Sequence, residues 1–271
     1  MTRPILFLSD LGPKDEFVGV CHSVITRIAP GARIVDLSHG VSPMNVALGA
    51  ILLADAIPYA PPDAVFLGVV DPGVGTDRKA IVVRATNGAL LVGPDNGLLS
   101  LAWEELGGVE AAFEIASPEV LLSPISSVFH GRDVFAPAAA HLAAGLAAES
   151  VGPTVEPADL IRIDVPEPEV DRGTIRCRVL DVDRFGNLQL NVRPKDLHEA
   201  GLDGRPDVLV DSAEASALAL RVDTYAEVGE GQYGLLEDAW GWVMVIRFEA
   251  NASGGLMVGR DDPVWLRSPE N

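Results

Sequence analysis

Basic residues are scarce in this 271-residue chain: 20 Lys and Arg stand against 39 Asp and Glu, a formal net charge of −19. A phosphate backbone needs a basic surface to bind it, so nucleic acid is disfavoured as a partner, and an anionic membrane surface with it. A small cation would not be repelled. Cysteine is nearly missing too. Cys21 and Cys177 lie far apart with no CxxC or Cys/His cluster around them, which argues against a disulfide framework or a thiolate zinc site. A chain this long buries enough core to fold without such staples. No apolar run is long enough to cross a bilayer, since the most apolar stretch, 134–148, carries Pro137 and His141. The Met-Thr-Arg-Pro start lacks the apolar core of a signal peptide, so a soluble cytoplasmic protein is expected.

Several familiar nucleotide and hydrolase signatures are also absent. Gly73-Val74-Gly75 opens like a dinucleotide loop, but position 78 is Arg, so GxGxxG fails. There is no GxxxxGK[ST] phosphate loop and no GxSxG nucleophile elbow. His130 and Asp133 make half of a metal site at most, and His22, His39, His141 and His198 show no ligand spacing that would complete one. No metal is expected.

What is present divides the chain in two. Residues 3–9 form an apolar run that stops at Asp10-Leu11-Gly12, as a buried strand ending in a polar loop does. Helical spacing follows over 16–29, closed by Pro30-Gly31. Strands are predicted at 33–37, 65–70, 80–84 and 90–92, with a second helix at 45–57. This alternation predicts a three-layer α/β domain, 1–155, with a mostly parallel sheet. Residues 156–172 are rich in Pro and acid and read as a linker. Short β-type runs then dominate 173–271, at 174–182, 188–192, 208–210, 217–222, 234–236, 242–248 and 264–266. They predict a smaller all-β, barrel-like domain.

In open α/β sheets, ligands bind beyond the carboxyl ends of strands. Four clusters there join Gly or Pro to ionisable side chains: Ser9-Asp10-Leu11-Gly12, the 71–78 segment from Asp71 to Arg78, Gly93-Pro94-Asp95-Asn96-Gly97, and Phe129-His130-Gly131-Arg132-Asp133. Any one of them alone could be a turn with solvated charges. His130 suits proton transfer, because imidazole titrates near neutral pH. In the second domain, Asp183-Arg184-Phe185-Gly186-Asn187 reads equally as a tight hairpin or as a ligand loop, with Phe185 stacking on a flat ring and Asn187 bonding a polar edge.

Taken in order with Asp36-Leu37-Ser38-His39, these segments resemble the S-adenosylmethionine hydroxide adenosyltransferases, the DUF62-type hydrolases related to fluorinase and chlorinase. The resemblance spans nearly the whole chain and is strongest through residue 152. It implies attack of water on the ribose C5′ of S-adenosyl-L-methionine (SAM), giving adenosine and L-methionine without a cofactor. It implies that Asp71, Arg78 and His130 handle the water and that Asp10 holds the ribose hydroxyls. Phe185 and Asn187 fall on the adenine side, Asp183 is a further substrate-binding residue, and Arg247 serves the methionine carboxylate or the adenine edge. The family is typically a homotrimer with sites between one subunit's N-terminal domain and a neighbour's C-terminal domain. The halogenating relatives carry an aromatic where Asp71 stands and a Ser where Gly131 stands. Near the C-terminus, relatives usually have Asn-Ser-x-Gly where this chain reads Glu237-Asp238-Ala239-Trp240-Gly241-Trp242.

Overall fold

The computed structural model describes residues 2–269, which form two compact units meeting in sequence at Asp164 and Val165. Residues 156–172, predicted as a linker, are divided between them. Leu160 is buried in the first unit, and Glu169–Asp171 forms a strand of the second. No helix among the described residues is long and apolar enough to cross a membrane.

In the first unit the chain runs β1 (Ile5–Ser9), α1 (Phe17–Ile28), β2 (Ile34–Ser38), α2 (Val46–Ala56), β3 (Val65–Val69), β4 (Ala80–Ala85), β5 (Leu90–Pro94), α3 (Ser100–Glu105), β6 (Val109–Glu114), α4 (Ala136–Ala143) and β7 (Thr154–Val155). The strands form one sheet in the order β2-β1-β3-β5-β4-β6-β7. Pairing is parallel from β2 through β5 and antiparallel from β5 to β7. The α/β sheet is therefore as predicted, with its parallel part confined to the half that carries β1 and β3. The direction reverses where a turn at Asn87-Gly88, with Gly88 at φ 87°, folds β5 back on β4.

Side chains alternate across the sheet and build two cores. Ile5, Phe7, Val65, Leu67 and Val69 face α1 and α4, whereas Leu6, Leu8, Phe66 and Val70 face the α2 and α3 side. Both faces are covered, so β1 and β3 are uninterrupted apolar runs, as parallel strands buried on both sides must be. This burial makes the ends of β1 and β3 rigid, and Asp10 and Asp71 follow those ends closely.

The second unit continues with β8 (Glu169–Asp171), β9 (Thr174–Val182), β10 (Leu188–Leu190), α5 (Pro194–Ala200), β11 (Asp207–Asp211), β12 (Ser216–Arg221), β13 (Tyr233–Glu237), β14 (Val243–Arg247), α6 (Ala252–Leu256) and β15 (Pro263–Arg267). Its strand order is β10-β14-β13-β12-β11-β15-β9, and a β10–β9 pairing closes the ring, with β8 added outside β9. Seven strands thus make a closed barrel. Closure removes exposed edges, which lets short strands hold together. Its interior is filled by residues such as Ile175, Val179, Leu188, Val210, Leu235, Val245 and Leu266.

Phe66 is 1% exposed on an interior strand of the first sheet. Phe66→Ala should lower unfolding free energy by about 3–5 kcal/mol, measured by urea denaturation. A loss below about 1 kcal/mol would contradict the packing described for β3.

Candidate active site

The loop after β3 folds back on itself, which brings Arg78 to Asp71. Val74 N donates to Asp71 O (3.2 Å), Thr76 N to Gly73 O (3.1 Å), and Thr76 Oγ1 to Gly73 O (2.7 Å). Gly75 sits at φ 77°, and a Cβ there would lie 2.5 Å from the Ser127 carbonyl oxygen, so no larger residue fits. Arg78 then grips Asp71 with two donors. Its Nε donates to Oδ1 at 2.9 Å and its Nη2 to Oδ2. Both side chains are at least nine-tenths buried. The guanidinium also lies over the Phe135 ring, 5.1 Å from its centroid.

His130 completes the group from a distant segment. A π-helical turn at Gly131–Phe135 runs into α4, and His130 stands at its start. Single π turns of this kind recur at functional sites. Arg78 Nη2 lies 2.7 Å from His130 Nδ1. A guanidinium has no lone pair, so it donates, and the neutral ring carries its proton on Nε2. Burial, together with the charge of Arg78, holds the His130 pKa below its ordinary value, against the opposing pull of Asp71 and Asp133. Asp133 is engaged by other groups. Its oxygens accept from Arg132 (2.7 and 2.8 Å) and from Ser126 N (2.8 Å), which fixes the segment before the turn.

Asp10 follows β1, and its Oδ2 accepts from Met44 N at 2.8 Å. Burial raises its pKa, Met44 N–H lowers it, and the charge of Asp71 adds a smaller upward push. Asp10, Asp71, Arg78 and His130 are thus gathered at one end of the parallel half of the sheet.

The barrel unit has a cluster of its own. A groove of about 690 Å³ is lined by Asp183, Phe185, Asn187, Tyr225 and Arg247. Asp183 shapes it: Oδ1 accepts from Phe185 N (2.8 Å) and Asn187 N (2.9 Å), and Oδ2 from Asn187 Nδ2 (2.9 Å). The hairpin and ligand-loop readings therefore coexist, because the tight loop is what leaves Phe185 62% exposed in the groove. Arg247 is held by a bond from Nε to Gly231 O (3.0 Å) and lies over Tyr233. In the 237–242 segment, Asp238 accepts from Trp240 N, Trp242 N and Gln189 Nε2.

Three features escaped sequence reasoning. Asn96 Nδ2 donates to Val70 O at 2.9 Å and so clasps the residue before Asp71, while Asp95 accepts from Ile161 N at 3.0 Å. The Gly93–Gly97 motif is therefore a brace. Tyr225 lines the groove although no motif marked it. Finally, His22 and His39, which sequence spacing dismissed as ligands, lie together with Asp36. Residues 14 and 3 apart on a helix, a strand and a loop follow no recognisable ligand pattern; only the β1–β2 pairing joins them.

A doubly covered α/β unit with an Asp–Arg–His cluster at its strand ends, followed by a closed barrel with an aromatic groove, defines a class of two-unit, small-molecule-acting protein. The comparisons place it more narrowly. Residues 5–152 match the SAM hydroxide adenosyltransferase N-terminal domain and residues 177–265 the C-terminal domain. The chain belongs to this family. It is 53% identical over 188 residues to a protein of Salinispora arenicola named (R)-S-adenosyl-L-methionine hydrolase, covering 69% of this chain and 70% of that one. A protein of the same name from Salinispora tropica is 45% identical over 243 residues, 89% of this chain and 88% of that one. In three dimensions, the crystal structure of an uncharacterized conserved protein from Thermotoga maritima superposes with a TM-score of 0.89 at 36% identity. It covers 97% of this chain and 100% of that one.

The coupling of Arg78 to His130 predicts a titration. The His130 ring should titrate below about 6.5 when followed by NMR, and Arg78→Ala should move it upward by removing a neighbouring positive charge. An unchanged or lower value in the variant would contradict the arrangement.

Proposed function

We propose that this chain hydrolyses S-adenosyl-L-methionine to adenosine and L-methionine by attack of water on the ribose C5′. The observation that carries this reading is the Asp71–Arg78–His130 cluster, which the loop after β3 and the π turn before α4 bring together in a member of this family. A sulfonium leaves as a neutral thioether, so the departing side needs no acid and the reaction needs no cofactor. As the water oxygen bonds to C5′, the C5′–S electron pair passes to sulfur and one water proton must be lost.

Asp71 is the better acceptor of that proton. His130 Nδ1 is already committed to Arg78, whereas each Asp71 oxygen keeps a lone pair beyond its bond to the guanidinium. Arg78 holds Asp71 in place through two donors and offsets hydroxide-like charge as it develops on the water. His130, proton on Nε2, can orient the water or its oxygen as a donor. Fixing the water in line with the C5′–S bond contributes on the order of 7–11 kcal/mol in favourable cases, and proton transfer about 10²–10⁴-fold. Asp10 retains acceptor capacity for the vicinal ribose hydroxyls, and the exposed face of Phe185 suits the adenine ring.

Asp71 also argues against halide as the nucleophile. The Arg78 guanidinium is already taken up by the Asp71 carboxylate, so a halide finds no free positive partner there, and Gly131 offers no hydroxyl to the anion. In oxygen-18 water the adenosine should therefore carry the label on its 5′ oxygen, with or without chloride, and methionine should not be labelled. Accumulation of 5′-chloro-5′-deoxyadenosine would overturn the assignment. Asp71→Asn should lower kcat by about 10²-fold or more while adenosine affinity, measured by calorimetry, stays within a few-fold. Equal losses of rate and affinity would make Asp71 a substrate-holding residue.

The family resemblance extends this reading to a homotrimer in which one protomer's barrel groove serves a neighbour's Asp71 cluster. Light scattering should return three chains per particle, and a fully active monomer would exclude a shared site.

A further inference from the structure

His22 on α1, Asp36 on β2 and His39 just beyond β2 form a second cluster that the hydrolytic scheme does not use. Their side chains converge on a single atom: His22 Nε2 lies 2.9 Å from Asp36 Oδ1, and His39 Nε2 lies 3.0 Å from the same oxygen. All three potential ligand atoms fall within 4.8 Å of one another. His39 is the telling member. Its side chain is nine-tenths buried, and Nε2, closed to solvent, approaches Asp36 Oδ1 at 3.0 Å but in poor hydrogen-bond geometry. A buried polar atom left in this way is costly and calls for a partner. The other ring nitrogen is satisfied, with Nδ1 2.7 Å from Ser9 Oγ. The Phe7 ring packs edge-on against His39, centroids 4.7 Å apart, and holds it in this orientation.

We propose that His22, Asp36 and His39 bind a divalent transition-metal ion, with Zn²⁺ the best match and water completing its coordination. Two imidazoles and one carboxylate suit Zn²⁺, whereas Ca²⁺ and Mg²⁺ require mostly oxygen ligands. Tetrahedral ligands at about 2.0–2.1 Å from zinc stand about 3.3 Å apart. The observed separations of 2.9 and 3.0 Å thus need to open by only a few tenths of an ångström. Once bound there, the ion replaces the poorly aligned Asp36 contact as the partner of His39 Nε2, and Ser9 Oγ accepts from His39 Nδ1–H, the bond that commonly orients a metal-binding histidine. Asp36 is exposed and His22 partly so, leaving an entry path, and the net charge of −19 favours a cation. The ion would tie the edge strand β2 to α1. It would also brace the loop that carries Asp10, since Gly12 N donates to His39 O at 2.8 Å and Ser9 immediately precedes Asp10.

The test uses the full chain without a polyhistidine tag, stripped with chelator, dialysed against Zn²⁺ and analysed by plasma mass spectrometry. One zinc per chain is expected, with a melting temperature that rises with Zn²⁺. Co²⁺ in its place should give the visible absorption of a four-coordinate nitrogen–oxygen site. His22→Ala and Asp36→Asn, both at solvent-reached positions, should weaken zinc binding by more than about tenfold and abolish the rise in melting temperature. A wild-type chain that takes up no zinc would overturn the proposal, as would variants that bind it as tightly as wild type.

Discussion

Arg78 is the residue on which the first unit's functional end depends. It holds Asp71 through two donors and His130 through a third contact, and it does so while nearly buried. A buried guanidinium is tolerated only when its charge and its donors are matched, and breaking such a pair leaves an uncompensated charge at a cost of about 3–5 kcal/mol. The surroundings meet that demand. The tight loop from Asp71 to Arg78 requires Gly75 where the chain passes Ser127, Asn96 secures the carbonyl of Val70, and the π turn sets His130 at the third corner. None of these positions touches another's function directly; each removes a way for the ion pair to come apart.

The two units contribute different chemistry by themselves. The α/β unit concentrates ionisable groups at strand ends, where buried parallel strands give them little freedom to move. The barrel unit contributes an aromatic face and hydrogen-bonding edges. Asp183 gives up its acceptors to three donors of its own loop, so its charge is spent on shape, and Phe185 remains exposed as a result. The Arg184 guanidinium lies over the Phe185 ring, 4.6 Å from its centroid, and an exposed aromatic ring can stack on another flat ring. That feature of the barrel fits recognition of a heteroaromatic ring.

Most of the architecture was legible in the sequence because burial writes itself into residue patterns. The double-sided burial of β1 and β3 appears as continuous apolar runs, and the change to short alternating segments marks the barrel. Asp71, Arg78 and His130 were legible as members of an ordered series of motifs. What was not legible is how these groups are paired. Asp95 and Asn96 look as reactive as Asp71 in sequence, yet they brace neighbouring backbone. Asp183 reads as a ligand and acts first as a turn. The His22–Asp36–His39 cluster obeys no local spacing, since its members meet only through the parallel pairing of β1 with β2 and the packing of α1 beside them. Where a side chain's hydrogen bonds go is decided by tertiary geometry, and composition cannot supply it. The reversal of strand direction after β5 was hidden for the same reason, because an Asn-Gly turn fixes a hairpin but not where that hairpin joins the sheet.

Charge balance at the Asp71 cluster then bears on the choice of nucleophile. Asp71 and Arg78 cancel each other, and His130 is held toward its neutral form by burial and by the guanidinium beside it. The site as a whole is close to neutral before anything reacts. A cationic sulfonium substrate is not repelled by it, and Asp10 adds a nearby negative charge. An incoming halide would have to displace part of the Arg78–Asp71 interaction to gain a positive partner, leaving the carboxylate buried and unpaired. A water needs no such exchange. In the proposed scheme it would accept a hydrogen bond from His130 Nε2–H and donate one to Asp71, becoming hydroxide-like only as its proton moves toward that carboxylate. The same ion pair that makes the loop rigid therefore favours a neutral nucleophile over an anionic one, and stability and selectivity at this site come from one interaction.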